Sequence, residues 1–491
     1  MMGNDPARSD RQRLLQSLKR LWGYDQFRYP QAEVMDCLLA GRDCLVVLPT
    51  GGGKSLCFQL PALLGQGLTL VVSPLVALME DQVQGLRRKQ LPVACLHSQL
   101  SRGDYKRILN QVKTQQLRLL YLSPETLLSP ELWEILREPA LKVEGLILDE
   151  AHCLVQWGDS FRPAYRRLGA FRTGVNPEKT FPIAAFTATA DSQQQTQIIE
   201  GLDLRQPQRF QVSPFRPQLR LTVKTVFSER CRRQQLLRLL NKHSHQSGLI
   251  YLRTRTTAIA LAQWLTSQGF KTTAYHGGVA ATQRRQTEQC WLGGDIPFVV
   301  CTNAFGLGIN KPDTRWVLHY HPPLGLIDYL QEIGRAGRDL KPAHCVTLIS
   351  EPTGWLDPGD RQRRQYFLRQ QQEVLYEAQR LVSRLPKQGN LTVLKQEFPE
   401  IELALAGLHR QGCLQWLDPF HYQLLTNSPT ALTLADLKHQ CQTMIQYLRI
   451  KTCRWEYILN VFGDRPETEN IPCGTCDNCL AKIGKKLMDK P

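Results

Sequence analysis

The chain has 491 residues, 42% of them apolar, with 61 Lys and Arg against 44 Asp and Glu, a formal charge of +17 and a pI near 9.3. That length is too great for one compact core and points to three or four domains, while the charge favours a polyanionic partner, most simply nucleic acid. The polar N-terminus MMGNDPARSDRQR lacks the apolar run of a secretory leader, no apolar stretch reaches the roughly 18 residues that span a bilayer, and the 15 mostly scattered cysteines read as reduced thiols, so a cytoplasmic protein is expected.

In chain order, short β-rich apolar runs at Leu45–Leu48, Leu68–Ser73, Leu117–Leu122, Leu146–Leu148 and Ile183–Phe186 alternate with helical stretches. Near-continuous runs of this kind predict strands buried on both faces of a parallel sheet. A second set at Gly248–Leu252, Thr272–His276, Phe298–Thr302, Trp316–Tyr320 and Cys345–Ile349 repeats the pattern. Two α/β lobes follow in tandem, with a seam near residues 205–220. Arg361–Arg384, rich in Gln and Arg with Leu, Val and Tyr at helical spacing, predicts an exposed linking helix. Gly389–Leu425 then carries Ile401, Leu405 and Leu408 at helical spacing, Gly412, a strand at Cys413–Leu417, a DPFH turn and a strand at Tyr422–Leu425. That is the outline of a winged helix, or of a structural helix–hairpin spacer. Helical segments and a cysteine cluster occupy Leu434–Asn478.

Four short strings carry the chemistry: LPTGGGKS at Leu48–Ser55, DEAH at Asp149–His152, FTATA at Phe186–Ala190 and QEIGRAGR at Gln331–Arg338. The first follows a strand and opens a helix, so the backbone N–H groups of Thr50, Gly51, Gly52 and Gly53 can surround phosphate oxygens, reinforced by the helix dipole. Lys54 would reach the β- and γ-phosphates and the Ser55 hydroxyl would ligate magnesium. The strict phosphate-loop pattern is not met, because Leu48 stands where it requires glycine, but three consecutive glycines keep the backbone free. Asp149 and Glu150 emerge from the carboxyl end of a strand, where ligands of open α/β sheets bind. Asp149 suits the hold on magnesium, and Glu150 suits orienting and deprotonating a water. Arg335 and Arg338, three residues apart, are expected on one face of a helical turn. From the second lobe they would act as arginine fingers on the γ-phosphate. ATP hydrolysis is the implied reaction.

These motifs resemble those of superfamily 2 helicases, and within them the RecQ family of DNA helicases, from Trp22 to Cys479. WGYDQFRYPQ (Trp22–Gln31) is similar to the family's adenine-recognition motif, which implicates Tyr24, Arg28 and Gln31. VVSPLVALMEDQV (Val71–Val83) and LYLSPETL (Leu120–Leu127) resemble its nucleic-acid motifs Ia and Ib; Ala304–Tyr320 resembles motif V, and Tyr329–Leu340, with Gln331, motif VI. DEAHCLVQWGDSFRPAY (Asp149–Tyr165) is similar to the aromatic-rich loop that couples DNA contact to hydrolysis. There Trp157 and Phe161 offer ring faces for base stacking beside the cations Arg162 and Arg166.

The resemblance implies an α/β architecture with two tandem RecA-like parallel-sheet lobes (1–207 and 208–352), a linking helix with a winged-helix-like module (353–430) and a helical zinc-binding module (431–491). It further implies ATP, Mg²⁺ and Zn²⁺ as cofactors and single-stranded and duplex DNA as substrates. Translocation would run 3′ to 5′ in recombination and repair, near the nucleoid, with single-strand-binding protein and other repair factors as candidate partners and no membrane. Two departures stand out: Asp159-Ser160 replaces the usual His-Asp, which bears on coupling, and the helix–hairpin module precedes the cysteines instead of following them. The family's further helical DNA-binding domain is expected to be absent. An RNA helicase, or a DNA-binding scaffold whose site is uncoupled, remains open on the residues alone.

Cys473-x2-Cys476-x2-Cys479 is a strong metal pattern. Four thiolates suit a closed, structural tetrahedral zinc site; spacing alone also admits an iron–sulfur cluster. Cys453 as the fourth ligand is implied by the resemblance. So small a segment could hardly fold on core burial alone, so the metal is expected to contribute directly to its stability.

Overall fold

A computed structural model describes residues 6–156, 162–175, 181–243, 245–305, 309, 311–398, 400–425, 435–463 and 473–488. The chain divides into two compact units, residues 1–212 with 371–433, and residues 213–370 with 434–491.

The first unit is built on a seven-stranded sheet: β1 (Cys44–Val47), β2 (Leu68–Val72), β3 (Val93–Leu96), β4 (Leu119–Leu122), β5 (Val143–Leu148), β6 (Ile183–Thr187) and β7 (Gln208–Gln211), in spatial order β3-β4-β2-β5-β6-β1-β7. All its pairings are parallel. Residues of β1, β2, β4, β5 and β6 alternate between two separate apolar clusters. Helices therefore cover both faces, which is why the strands read as continuous apolar runs. Sequence periodicity missed β3, whose VACL is too short and mixed to stand out. It also missed β7, whose polar QRFQ is an edge strand with one exposed flank. The first sheet thus runs to Gln211, where β7 pairs with β1.

The second unit carries a six-stranded parallel sheet of β8 (Leu219–Val226), β9 (Gly248–Tyr251), β10 (Ala274–Tyr275), β11 (Phe298–Cys301), β12 (Trp316–His319) and β13 (Ala343–Ser350), ordered β10-β11-β9-β12-β13-β8. Both units therefore have the RecA-like lobe architecture expected. The strand expected at Thr272–His276 contracts to two residues at the sheet edge, and β8, an alternating LRLTVKTV, was not anticipated.

The linking helix spans Gly359–Val382 and buries only Ala378 and Val382 fully. After it come β14 (Gln388–Asn390), helices Leu391–Glu397 and Ile401–Arg410, β15 (Leu414–Trp416) and β16 (His421–Leu424), an antiparallel sheet ordered β14-β16-β15 beneath two helices. This winged-helix-like module belongs to the first unit, where it packs on residues 163–175. The helices Ala435–Arg449, Arg454–Val461 and Asp477–Met488 complete the second unit and pack against its sheet. No helix among the described residues is long and apolar enough to cross a membrane.

Candidate nucleotide site and metal centre

β5, β6 and β1 are parallel neighbours, so the three segments that follow them reach the same edge of the first sheet. Those segments are Asp149–His152, Thr187–Ala190 and Pro49–Gly53. Three motifs scattered over 140 residues of sequence thereby converge.

In the phosphate loop, Gly51 and Gly53 take φ of +86° and +78°, left-handed conformations in which side chains are strained. A Cβ on Gly53 would also lie 2.3 Å from the Gln31 amide nitrogen. Lys54 and Ser55 open the helix Lys54–Leu64, leaving its first N–H groups free for an anion. Gln31 is buried and donates Nε2 to the Gly52 carbonyl at 3.2 Å, while its Oε1 accepts from the Arg28 N–H at 2.9 Å. The proposed adenine motif is therefore bolted to the phosphate loop through one amide side chain. Tyr24 is 56% exposed, and its ring is open to stack a base.

The Lys54 ammonium stands 3.7 Å from Glu150 Oε1. Glu150 has φ +54°, a strained conformation for a non-glycine residue and one that clusters at functional sites. Asp149 is buried, and its carboxylate accepts the Glu150 N–H at 3.0 Å. Burial, and then the charge of Glu150, push Asp149 up to about 7, with Lys54 opposing. A buried carboxylate so disfavoured as an anion gains most from an added cation. With the Ser55 hydroxyl at the start of the neighbouring helix, the donor set fits a magnesium ion carried with a nucleotide.

Burial pushes His152 down to about 4, leaving a neutral ring. Its Nδ1 lies 3.1 Å from Thr187 Oγ1 and 3.4 Å from Glu150 Oε2. The Thr187 hydroxyl donates to the Thr189 carbonyl at 3.0 Å, so the Nδ1 proton is the one shared with Thr187. Glu150, His152, Thr187 and Thr189 thus lie in one polar row that runs from the Glu150 carboxylate into the FTATA segment. The ladder continues beside it, as Ala151 N–H donates to the Phe186 carbonyl at 2.8 Å.

In the second unit the helix Leu326–Ile333 ends at Gly334. Arg335 and Arg338 therefore follow the helix on a turn and do not share a helical face, because Gly337 at φ +57° reverses the chain there. Arg338 donates to the Ile309 carbonyl at 2.9 Å. Arg335 is buried beside Tyr251, whose hydroxyl it helps to hold against the upward push of burial. Gln331 is half-buried on the preceding helix. The neighbouring Glu332 accepts from Arg253 Nη2 at 2.8 Å and lies 2.9 Å from His319 Nε2, and His319 Nδ1 meets Thr347 Oγ1 at 3.2 Å. Sequence reasoning missed this network. Its signal was a carboxylate between Gln331 and Ile333 on a largely apolar helix, one turn before the arginines.

Trp157 and Phe161, with Asp159-Ser160, lie outside the described residues, as do Gly306–Gly308 and Asn310 of the motif V segment. Arg162 faces Glu125 at 3.8 Å. Arg166 corrects the expectation of a DNA-facing cation: it is 2% exposed, packed beside Gly201 and facing His409.

The four sulfurs of Cys453, Cys473, Cys476 and Cys479 lie within 4.8 Å of one another. The Cys476 N–H points at Cys473 Sγ at 3.3 Å and the Arg454 N–H at Cys476 Sγ at 3.5 Å, the backbone donors that thiolate ligands require. An all-sulfur, nearly closed set fits structural zinc. The cluster is fastened to the lobe: Arg454 donates to both Asp477 oxygens at 2.6 and 2.9 Å, and Asp477 accepts the Val223 N–H of β8 at 2.8 Å. The otherwise open edge of β8 is thereby covered.

Family models match three stretches of the chain: DEAD/DEAH box helicase over residues 28–198, helicase conserved C-terminal domain over 231–339 and RecQ zinc-binding over 423–480. The ATP-dependent DNA helicase RecQ of Synechocystis sp. is 67% identical over 473 residues, covering 96% of this chain and 99% of that protein. The RecQ of Haemophilus influenzae is 33% identical, and the match spans 95% of this chain but 63% of that longer protein. Among solved structures, Saccharomyces cerevisiae Dbp5 bound to RNA and ADP BeF3 shares the fold with a TM-score of 0.56 at 16% identity, over 73% of this chain and 92% of that one.

Proposed function

The chain belongs to the RecQ family of ATP-dependent DNA helicases, and on that premise we propose that it hydrolyses ATP to move 3′ to 5′ along single-stranded DNA and separate the duplex ahead. The observation that carries this reading is the Lys54–Glu150 approach of 3.7 Å at the carboxyl edge of the sheet, tied through His152 to Thr187 and Thr189.

The N–H groups of Gly51 to Ser55 and the Lys54 ammonium bind the β- and γ-phosphates. Gln31 holds the loop in register while Tyr24 and Arg28 receive the base. Asp149 and Ser55 would hold magnesium, which supplies charge neutralisation on the phosphoryl oxygens. Glu150 orients the attacking water and accepts its proton at a carboxylate oxygen. Arg335 and Arg338 offset the charge that redistributes over the transferring phosphoryl group, an effect worth about a thousandfold or more in rate. The neutral His152 relays the state of Glu150 to Thr187 through one hydrogen bond.

A net charge of +17 supports largely sequence-independent, salt-sensitive affinity for DNA. The substrates are repair and recombination intermediates, the setting is the nucleoid, and single-strand-binding protein is the partner to test first. Strand separation of 3′-tailed and 5′-tailed duplexes, with Glu150→Gln as control, decides the reading. Unwinding of the 3′-tailed substrate alone, lost in the control, is expected; unwinding of both tails, or full activity in the control, refutes it.

A further inference from the structure

The winged-helix-like module stands on the segment that follows the aromatic-rich loop. That segment, the 3-10 helix Pro163–Ala170 and the helix Phe171–Val175, begins two residues after Phe161. We propose that the module is a clamp that positions the foot of this loop, with Arg167 and Glu402 as the positioning pair. The inference rests on the reading of Asp149–Tyr165 as the element that couples DNA contact to hydrolysis.

The contacts are specific. Arg167 is buried; its Nη2 donates to Glu402 Oε1 at 3.1 Å and its Nη1 to the Pro419 carbonyl at 3.3 Å. Lys395 holds the other Glu402 oxygen at 2.9 Å, so the carboxylate is fixed from both sides. Around the ion pair, Phe420 packs edge-on against Trp133, with ring centroids 5.2 Å apart, and Trp133 against Phe171 at 5.6 Å. Ala170 lies within the apolar core of the module, beside Leu405 and Trp416. A Cβ on Gly174 would come 2.8 Å from the Pro419 ring. His409, which faces Arg166, is driven down to about 4 by burial, so the module presents a neutral ring to that cation.

A spacer needs none of these contacts, and a DNA-reading wing should be basic. Residues 386–425 hold three basic residues (Lys387, Lys395, Arg410) against four acidic ones (Glu397, Glu400, Glu402, Asp418), in a chain whose net charge is +17. Phosphodiester affinity comes from cations, so this module is suited to an internal contact. Arg166, which the sequence reading places on the DNA-facing side of the loop, and its neighbour Arg167 are both buried on this side. Arg166 and Arg167 anchor the segment that follows the loop, so displacement of the module would act on that segment first.

ATP turnover of the full chain, titrated with single-stranded oligothymidylate, tests the clamp. Glu402→Gln should lower turnover at saturating DNA about tenfold, inside the roughly 100-fold that an ångström of misplacement can cost. Turnover without DNA and the DNA concentration for half-stimulation should stay at the wild-type level, and Glu402→Asp, which keeps the charge, should recover most of the loss. Trp157→Ala is the companion variant. Full stimulation in Glu402→Gln beside lost stimulation in Trp157→Ala overturns the clamp alone. Equal loss of basal and stimulated turnover in Glu402→Gln also overturns it, since that outcome reports a folding defect. Undiminished stimulation in Trp157→Ala overturns the coupling reading, and the clamp with it.

Discussion

Substituting Glu332 by Gln tests whether the buried network of the second unit supports the turn that carries Arg335 and Arg338. The Glu332 carboxylate accepts two hydrogen bonds from Arg253 Nη2, at 2.8 and 2.9 Å, and stands 2.9 Å from His319 Nε2. Side-chain exposures are 9% for Arg253 and 5% for Glu332, so solvent screens the pair little. Removing one partner of a buried ion pair costs about 3–5 kcal/mol, chiefly because the other charge is left uncompensated. Glutamine retains one acceptor oxygen, so the lower end, about 3 kcal/mol, is expected. Urea unfolding followed by tryptophan fluorescence should show an early transition in Glu332→Gln. Replacing both partners, as in Arg253→Met with Glu332→Met, should be milder than the two single losses added together. Helix Leu326–Ile333 leads directly into the arginine turn, so turnover should fall even at low denaturant, where the variant is still folded. A Glu332→Gln midpoint indistinguishable from wild type, or a double variant as damaged as the summed singles, would refute the electrostatic argument.

Three further outcomes follow from the same geometry. The Thr187 hydroxyl is fully buried and shared between His152 and Thr189; Thr187→Val leaves those partners unsatisfied, a loss of about 1–3 kcal/mol. If the loss falls on the transition state, turnover should drop about 5- to 150-fold; unchanged kcat would remove this chain from the mechanism. Purified protein should contain one zinc per chain. Its removal by a strong chelator should expose four reactive thiols and lower the melting temperature of the second unit, both restored by zinc; iron in its place, or thiols equally reactive throughout, would exclude the zinc assignment. Burial alone would raise the pKa of Glu332, but Arg253 and His319 more than compensate and hold it below the usual carboxylate range. Its contribution is therefore fully present above the unfolded pKa of about 4.3 and lost as pH falls through the depressed folded value. The acid limb of the urea midpoint should flatten in Glu332→Gln; an unaltered limb would assign it to other groups.

Local pattern carried a good part of this protein. Apolar runs buried on two faces betray parallel strands whatever surrounds them, and the Gly-rich loop announces its chemistry because only glycine takes the φ of Gly51 and Gly53. The tight CxxCxxC end likewise marks a metal site by its spacing, while leaving zinc and an iron–sulfur cluster both open. These features are short-range, fixed by neighbours within a strand or a turn. What the sequence could not show depends on residues far apart in the chain. Arg166 and Arg167 are charged side chains that any local reading sends to solvent, yet both are buried, and the Glu402 that pairs with Arg167 lies 235 residues away. The helix expected under Arg335 and Arg338 stops at Ile333 because Gly337 is held left-handed, where a Cβ would meet the Lys341 carbonyl at 2.9 Å. Strand order had to bring β5, β6 and β1 together before His152 could reach Thr187. The sequence alone named the chemistry, because backbone conformation and ligand type are local properties. Which charges are buried, and what they hold in place, is set by long-range packing, and only the tertiary structure decided it.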